Sequence, residues 1–193
     1  HVIKCGLSPV IIHLIRKGVV TAVAMNGAGS IHDYEIALVG GSSEDVQEEI
    51  RTGMFGMVDE TGRDILDALS LGAPEGWGYG ESLGRYLLSK KPPHYQHSIL
   101  AAAARNRIPA TVHVALGADI IHMHPVMDGA LMGEASFTDF RILCSVVADL
   151  GRGGVDRGEP GFESAFHVVR LANSRDLDVR WDGAWVEHGA GAL

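Results

Sequence analysis

The order of apolar and polar residues along this chain predicts alternating strands and helices. The run from Val19 to Met25 is continuously apolar and rich in β-branched residues, which is typical of a strand buried on both faces. A second such run extends from Ile108 to Ala115 and ends near Gly117. The predicted helices cover residues 9–17, 31–39, 44–51, 58–70, 81–89, 98–105, 134–150 and 162–173. This pattern predicts an α/β fold with a parallel sheet and helices on both faces.

The first residues predict the end of one more strand. His1 to Lys4 precede a Gly-Leu-Ser-Pro turn, in which Ser8 suits an N-cap and Pro9 the first position of a helix. Strand, helix and strand in this order form a βαβ unit, whose strands are parallel. Because the chain starts within such a strand, we expect it to begin inside a larger, N-terminally incomplete fold.

The apolar run ending at Met25 is followed at once by Asn26-Gly27-Ala28-Gly29-Ser30. Glycines at the carboxyl end of a strand let the backbone approach a ligand, and the N–H groups of the next helix can face a phosphate. The full dinucleotide fingerprint of three spaced glycines is absent. A tight strand-to-helix turn without a ligand therefore remains an alternative to a nucleotide site.

Composition narrows the classes of protein. The chain has 193 residues, 46% of them hydrophobic, which suits one globular domain. A net charge of −8 with only four lysines disfavours a nucleic-acid surface, and no apolar stretch reaches the roughly 18 residues of a membrane span. Cys5 and Cys144 are expected to be reduced thiols rather than a disulfide. The predicted location is cytoplasmic.

A cluster of polar residues follows the second apolar run. Two histidines one residue apart share a face of an extended segment, and with a further histidine and an aspartate they could hold zinc or iron. The candidate ligands are His113, His122, His124 and Asp128. In the alternative interpretation, His113 is a buried, hydrogen-bonded core residue and the others line a polar crevice without metal.

Two blocks of the chain resemble deoxyhypusine synthase, most closely its bacterial deoxyhypusine-synthase-like relatives. The first block runs from Gly6-Leu7-Ser8-Pro9 to His32-Asp33 and on to Leu38; the second runs from Ile108-Pro109 through Asp119 to Leu150. The resemblance covers about residues 1–155 and implies a Rossmann-like NAD-binding domain that assembles into a homotetramer. Residues 156–193 are interpreted as a divergent C-terminal tail of the same domain.

The resemblance also implies particular site residues. The expected NAD-binding residues are His1, Lys4, Gly6, Asn26, Gly27, Ala28, Gly29 and Asp119. The expected substrate-binding residues are His32, His122, His124 and Asp128. The family reaction oxidises spermidine with NAD and transfers its aminobutyl group, first to an enzyme lysine and then to a lysine of a translation factor.

The chain departs from the family at the residues of that transfer. The family has paired glutamates where this chain has Ile31 and His32, and its catalytic lysine lies near the C-terminus, whereas all lysines here precede residue 92. Arginine cannot replace that lysine, because its guanidinium stays protonated. We therefore expect an NAD-binding oligomer that lacks hypusine-forming activity and acts on another small-molecule amine, or only binds one. The alternatives are a metal-dependent hydrolase at the histidine cluster and an inactive fragment of the family.

Overall fold

The computed structural model describes residues 2–42, 51, 58–148, 155–157 and 168–171. Its helices are α1 (Ser8–Arg16), α2 (Gly27–Val39), α3 (Asp59–Gly72), α4 (Tyr79–Lys90), α5 (Ile99–Asn106) and α6 (Gly129–Ala148). Its strands are β1 (Val20–Asn26), β2 (Ala110–His113), β3 (Val155–Arg157) and β4 (Val168–Leu171). Short 3-10 turns lie at Ala73–Glu75, Tyr95–His97 and Ile120–Met123. The described chain is thus a mixed α/β fold.

The four strands form one sheet in the order β2-β1-β4-β3. β1 and β2 are parallel, with Val23 opposite Ala110 and Asn26 opposite His113. β4 joins the other side of β1 antiparallel, and β3 joins β4 antiparallel. The sheet is therefore mixed, whereas the sequence predicted an all-parallel one; only its β1–β2 pair has the predicted direction.

β1 is one of the two inner strands of the sheet, and this position explains its composition. Residues Val20, Ala22, Val23, Ala24 and Met25 are all buried. A strand that is paired on both edges and covered on both faces exposes few side chains to water. Apolar residues therefore follow one another without alternation in the sequence. The largest buried side chains around it include Tyr34, Tyr79, Leu83, Leu100 and Met132.

Two predictions for the start of the chain are wrong. Residues 2–6 form turns rather than the end of a strand. The N-cap of α1 is Leu7, and Ser8 is the first helical residue with a buried hydroxyl that has no hydrogen-bond partner among the described residues. The reason is local geometry: the Leu7 carbonyl already accepts the first helical hydrogen bonds, from Val10 and Ile11.

The predicted helix over 162–173 is also wrong where it can be compared, because residues 168–171 form β4. Short apolar runs fit a strand as well as a helix, and the open edge of β1 supplies the pairing partner that the sequence does not reveal. The predicted helix over 44–51 and the aromatic residues Trp181 and Trp185 lie outside the described part of the chain, apart from Arg51. The remaining predicted helices are present; their bounds differ at both ends, except that α2 ends at Val39 as predicted.

Candidate functional site

The candidate site lies at the carboxyl ends of β1 and β2. Because these strands are parallel and in register, Asn26 and His113 are neighbours where the two strands end. This edge of a parallel sheet is where α/β proteins commonly bind ligands. α2 begins at Gly27 without an intervening loop, so its first turn lies at the same edge.

Asn26 caps α2. Its side-chain oxygen accepts a hydrogen bond of 2.8 Å from the N–H of Gly29, which satisfies one of the donors that every helix start leaves free. Within the described residues, the N–H groups of Gly27 and Ala28 have no acceptor. The first turn of α2 therefore retains donors that a ligand could use.

Asp119 lies directly against this first turn. A Cβ atom added to Gly27 would overlap the Asp119 carboxylate, so glycine is required for the close approach. The same carboxylate accepts a hydrogen bond of 3.1 Å from the N–H of Ala115, which fixes its position. A carboxylate at a helix N-terminus is favoured by the helix dipole. Because it is also an anion, the space next to Gly27 suits a hydroxyl or an amine better than a phosphate.

Behind the turn, Ser30 connects α2 to α4. Its hydroxyl donates to the Gly27 carbonyl at 2.7 Å and lies 3.0 Å from the Tyr79 hydroxyl. Burial raises the pKa of Tyr79, and Asp119 and Asp139 raise it further, so this tyrosine stays neutral. Sequence patterns did not identify Tyr79, because it lies between the helices predicted over 58–70 and 81–89.

The histidines predicted as metal ligands make separate contacts. His113 lies 2.9 Å from the Thr111 hydroxyl, and burial lowers its pKa, which favours the neutral ring. His124 is buried against Gly62 and lies 3.4 Å from the Asp59 carboxylate. Asp128 caps α6 through hydrogen bonds to Ala130 and Leu131.

No group of three or more His, Cys, Asp or Glu residues in the described part of the chain is arranged to hold a metal ion. The metal site considered as an alternative at His113, His122, His124 and Asp128 is therefore not assembled in this structure. Cys5 and Cys144 are exposed free thiols.

His122 is the exception among these residues, because one of its ring nitrogens lacks a partner. Its Nδ1 lies 2.9 Å from the Asp119 carbonyl oxygen, a contact that requires the proton on Nδ1. In the neutral ring Nε2 is then an acceptor, and it is buried without a hydrogen-bond partner among the described residues. His122 thus leaves one acceptor for a ligand and is bonded to the backbone of the residue that contacts Gly27.

His32 has different neighbours from those a catalytic triad requires. Its Nδ1 lies 2.5 Å from the Ser42 hydroxyl and 3.8 Å from the Glu35 carboxylate, and Ser42 also donates to Glu35. In a triad the hydroxyl and the carboxylate contact opposite ring nitrogens. Here both approach the same nitrogen, so the arrangement is a local polar cluster between α2 and the residues that follow it.

The remaining predicted residues are more distant or undescribed. His1 lies outside the described residues. Lys4 is exposed and Gly6 has a φ of +74° in the turn before α1, and neither forms a hydrogen bond or ion pair with Asn26, Gly29 or Asp119 within the described chain. Both precede α1, whose other end leads into β1, so the topology places them at the same end of the sheet as Asn26.

Two buried carboxylates were not predicted from the sequence as functional or structural residues. Asp33 accepts hydrogen bonds from the Ser98 hydroxyl and from the N–H groups of Ile99 and Leu100, at the start of α5. Asp139 accepts from Gly80 and Val112, and its other oxygen has no hydrogen-bond partner in the described structure. Burial raises the pKa of Asp33 to about 6 and that of Asp139 to about 7. An acidic residue on the apolar face of a helix was the signal that could have identified them.

No protein-family model matches the chain, and neither a curated protein nor a solved structure matches it. The resemblance to deoxyhypusine synthase therefore remains a prediction. Among the described helices, none is long and apolar enough to cross a membrane.

Proposed function

We propose that this chain is a Rossmann-like, deoxyhypusine-synthase-like protein that binds NAD at the carboxyl ends of β1 and β2. The observation that carries this proposal is the contact of Asp119 with Gly27. These residues are far apart in the sequence, and both were expected to bind NAD for a reason independent of their proximity. Their contact joins the two blocks of the chain that resemble the family into one surface.

The chemistry of this surface suits the parts of a dinucleotide. The Asp119 carboxylate can accept hydrogen bonds from ribose hydroxyls beside Gly27, while the free N–H group of Ala28 can donate to a pyrophosphate. Because Asp119 repels anions, the proposal places the ribose next to the carboxylate and the pyrophosphate further along the first turn. The buried Nε2 of His122 supplies an additional acceptor for a hydroxyl or an amine.

The proposal does not include hypusine formation. All four lysines precede residue 92, so residues 93–193 offer no lysine to carry the transferred group. The substrate we propose is another small-molecule amine, held in a homo-oligomer as the family resemblance implies. A role in binding without turnover is compatible with the same site.

The test is a fluorescence titration of the full chain with NADH. We expect saturable binding at or below millimolar concentration, and we expect Asp119→Asn to weaken it by roughly 10-fold or more, the effect of losing a charge-assisted hydrogen bond. Asp67→Asn is the matched control, because Asp67 is exposed on α3. Circular dichroism of each variant separates lost binding from lost folding.

Two outcomes would contradict the proposal. One is an absence of NADH and NAD binding at millimolar concentration by a folded wild-type chain. The other is binding that Asp119→Asn and Asp67→Asn weaken equally. Analytical ultracentrifugation of the same sample tests the homo-oligomer separately.

A further inference from the structure

The charges of this acidic chain are unevenly distributed. Residues 1–32 and 82–118 contain no Asp or Glu, although the chain has 24 of them. The same two segments carry eight of the 16 lysines and arginines: Lys4, Arg16, Lys17, Arg85, Lys90, Lys91, Arg105 and Arg107. In the fold, α1 from the first segment packs against α5 from the second. The net charge of −8 therefore conceals a local positive surface.

Two of these arginines occupy equivalent places in the topology. Arg16 ends α1, which leads into β1, and Arg105 lies in the last turn of α5, which leads into β2. Because β1 and β2 are parallel neighbours, both arginines lie at the amino-terminal edge of the pair. At ~3.3 Å per residue, the length of β1 separates this edge from Asn26 by roughly 20 Å. The arginines are thus remote from the proposed NAD site.

The arginines line one shallow surface groove. Tyr95, Gln96 and Asn106 also line the groove, and Ala101 and Ala102 form its apolar part. The Arg105 guanidinium lies over the Tyr95 ring, 5.4 Å from its centroid, and this contact restrains its orientation. The groove thus combines two cations with an apolar wall.

The two cations lack acidic partners. Arg63 pairs with Asp59 and Arg85 with Glu81, but neither Arg16 nor Arg105 has an ion pair within the described residues. Other polar groups of the groove are already engaged: Ser98 donates to the buried Asp33, and the Asn106 amide donates to the Ala102 carbonyl. Among the described residues, the remaining side-chain donors of the groove are the two guanidiniums, the Gln96 amide and the Tyr95 hydroxyl.

Helix dipoles explain part of this arrangement. A cation in the last turn stabilises a helix, and this would account for each arginine separately. It does not explain why both arginines line the same groove, or why the two segments that carry them contain no acidic residues. The same carbonyl ends repel an anion, so we expect binding at millimolar rather than micromolar concentration.

We propose that the groove binds the phosphate group of a small phosphorylated ligand. Arg16 and Arg105 contact the phosphate oxygens, the Gln96 amide donates a further hydrogen bond, and the rest of the ligand lies against Tyr95 and the alanines. Guanidinium groups suit this role because they present paired donors with the geometry of phosphate oxygens. The proposal is independent of NAD binding at the other edge of the sheet.

The test uses inorganic phosphate as the probe on the full chain, at an ionic strength held constant with sodium chloride. We expect phosphate to raise the melting temperature with a millimolar midpoint, and Arg16→Gln and Arg105→Gln each to raise that midpoint at least 10-fold. The matched control is Arg141→Gln, because Arg141 is also exposed and also lies over an aromatic ring, 5.1 Å from the Phe137 centroid. The control is expected to respond to phosphate like the wild type.

The proposal is overturned if phosphate has no more effect than chloride, or if Arg141→Gln loses the response as the groove variants do. A second variant, Lys91→Gln, tests whether a diffuse positive field binds the anion. If Lys91→Gln weakens the phosphate response as much as Arg16→Gln, the field rather than the groove binds the anion. Isothermal titration of the folded variants gives the same comparison without depending on their melting temperatures.

Discussion

At the scale of single residues, the buried carboxylates are the most consequential side chains outside the candidate site. Asp33 is fully buried on α2, and its two oxygens accept three hydrogen bonds from the first turn of α5 and the Ser98 hydroxyl before it. It therefore connects two helices that are distant in the sequence. The polar pair His32-Asp33 drew attention to the start of α2, but the role of Asp33 could not be predicted, because its donors lie 65 or more positions away.

Replacing Asp33 with alanine is expected to destabilise the fold by at least ~3 kcal/mol, because it leaves buried donors without an acceptor. Urea unfolding followed by circular dichroism measures this loss. Asp67→Ala, at an exposed position of α3, is the control and should change stability by less than ~0.5 kcal/mol. Similar losses in the two variants would show that the Asp33 hydrogen bonds contribute little.

At the scale of elements, α4 packs unusually close to its neighbours. A Cβ on Gly80 would overlap the backbone carbonyl of Ala110 in β2, and one on Gly84 would lie 2.5 Å from the Leu100 carbonyl oxygen in α5. The helix predicted over 81–89 leaves Gly80 outside, since glycines weaken helices. The structure assigns these glycines to a helix, because close backbone contact outweighs their low helix propensity.

We expect Gly80→Ala to destabilise the protein by ~1–3 kcal/mol, although alanine is the better helix former by ~1 kcal/mol. The matched control is Gly129→Ala at the start of α6, where an added Cβ meets nothing within 4 Å. Thermal unfolding of both variants checks the prediction. If Gly80→Ala is as stable as Gly129→Ala, the helix does not lie as close to β2 as described.

At the scale of the whole molecule, two carboxyl groups with raised pKa values make stability depend on pH. Burial raises the pKa of Asp33 from 3.8 to about 6, and that of Asp139 from 3.8 to about 7. Hydrogen bonds from the backbone oppose the increase in both cases without cancelling it. At a pH above 3.8 and below the raised pKa, each of these carboxyl groups keeps its proton in the folded chain and has lost it in the unfolded chain. The contribution of both groups to stability therefore falls as the pH rises from about 4 to about 7.

The variant Asp139→Asn isolates this dependence, because asparagine does not titrate. We expect the stability of the wild type relative to Asp139→Asn to decrease between pH 5 and pH 8, by on the order of 1–3 kcal/mol. Urea unfolding of both proteins at several pH values measures the difference. A difference that stays constant or grows over this range would contradict the raised pKa of Asp139.

The sequence by itself determined those features that depend on neighbouring residues. The β1 strand is visible as an uninterrupted apolar run, and most helices show apolar residues at helical spacing, because both signals arise from burial of one segment. The Asn26 junction was predicted for the same reason, since a strand followed directly by glycines and a helix is a local pattern.

Only the tertiary structure decided which distant residues meet. It placed Asp119 against Gly27, separated the proposed metal ligands, paired β4 antiparallel with β1, and brought Arg16 and Arg105 to one groove. Each of these outcomes depends on segments whose separation along the chain exceeds the range of helix or strand periodicity. Burial free energy depends on the total apolar area removed from water, and many pairings satisfy it equally. The packed fold selects among them, and with them the chemistry of the site.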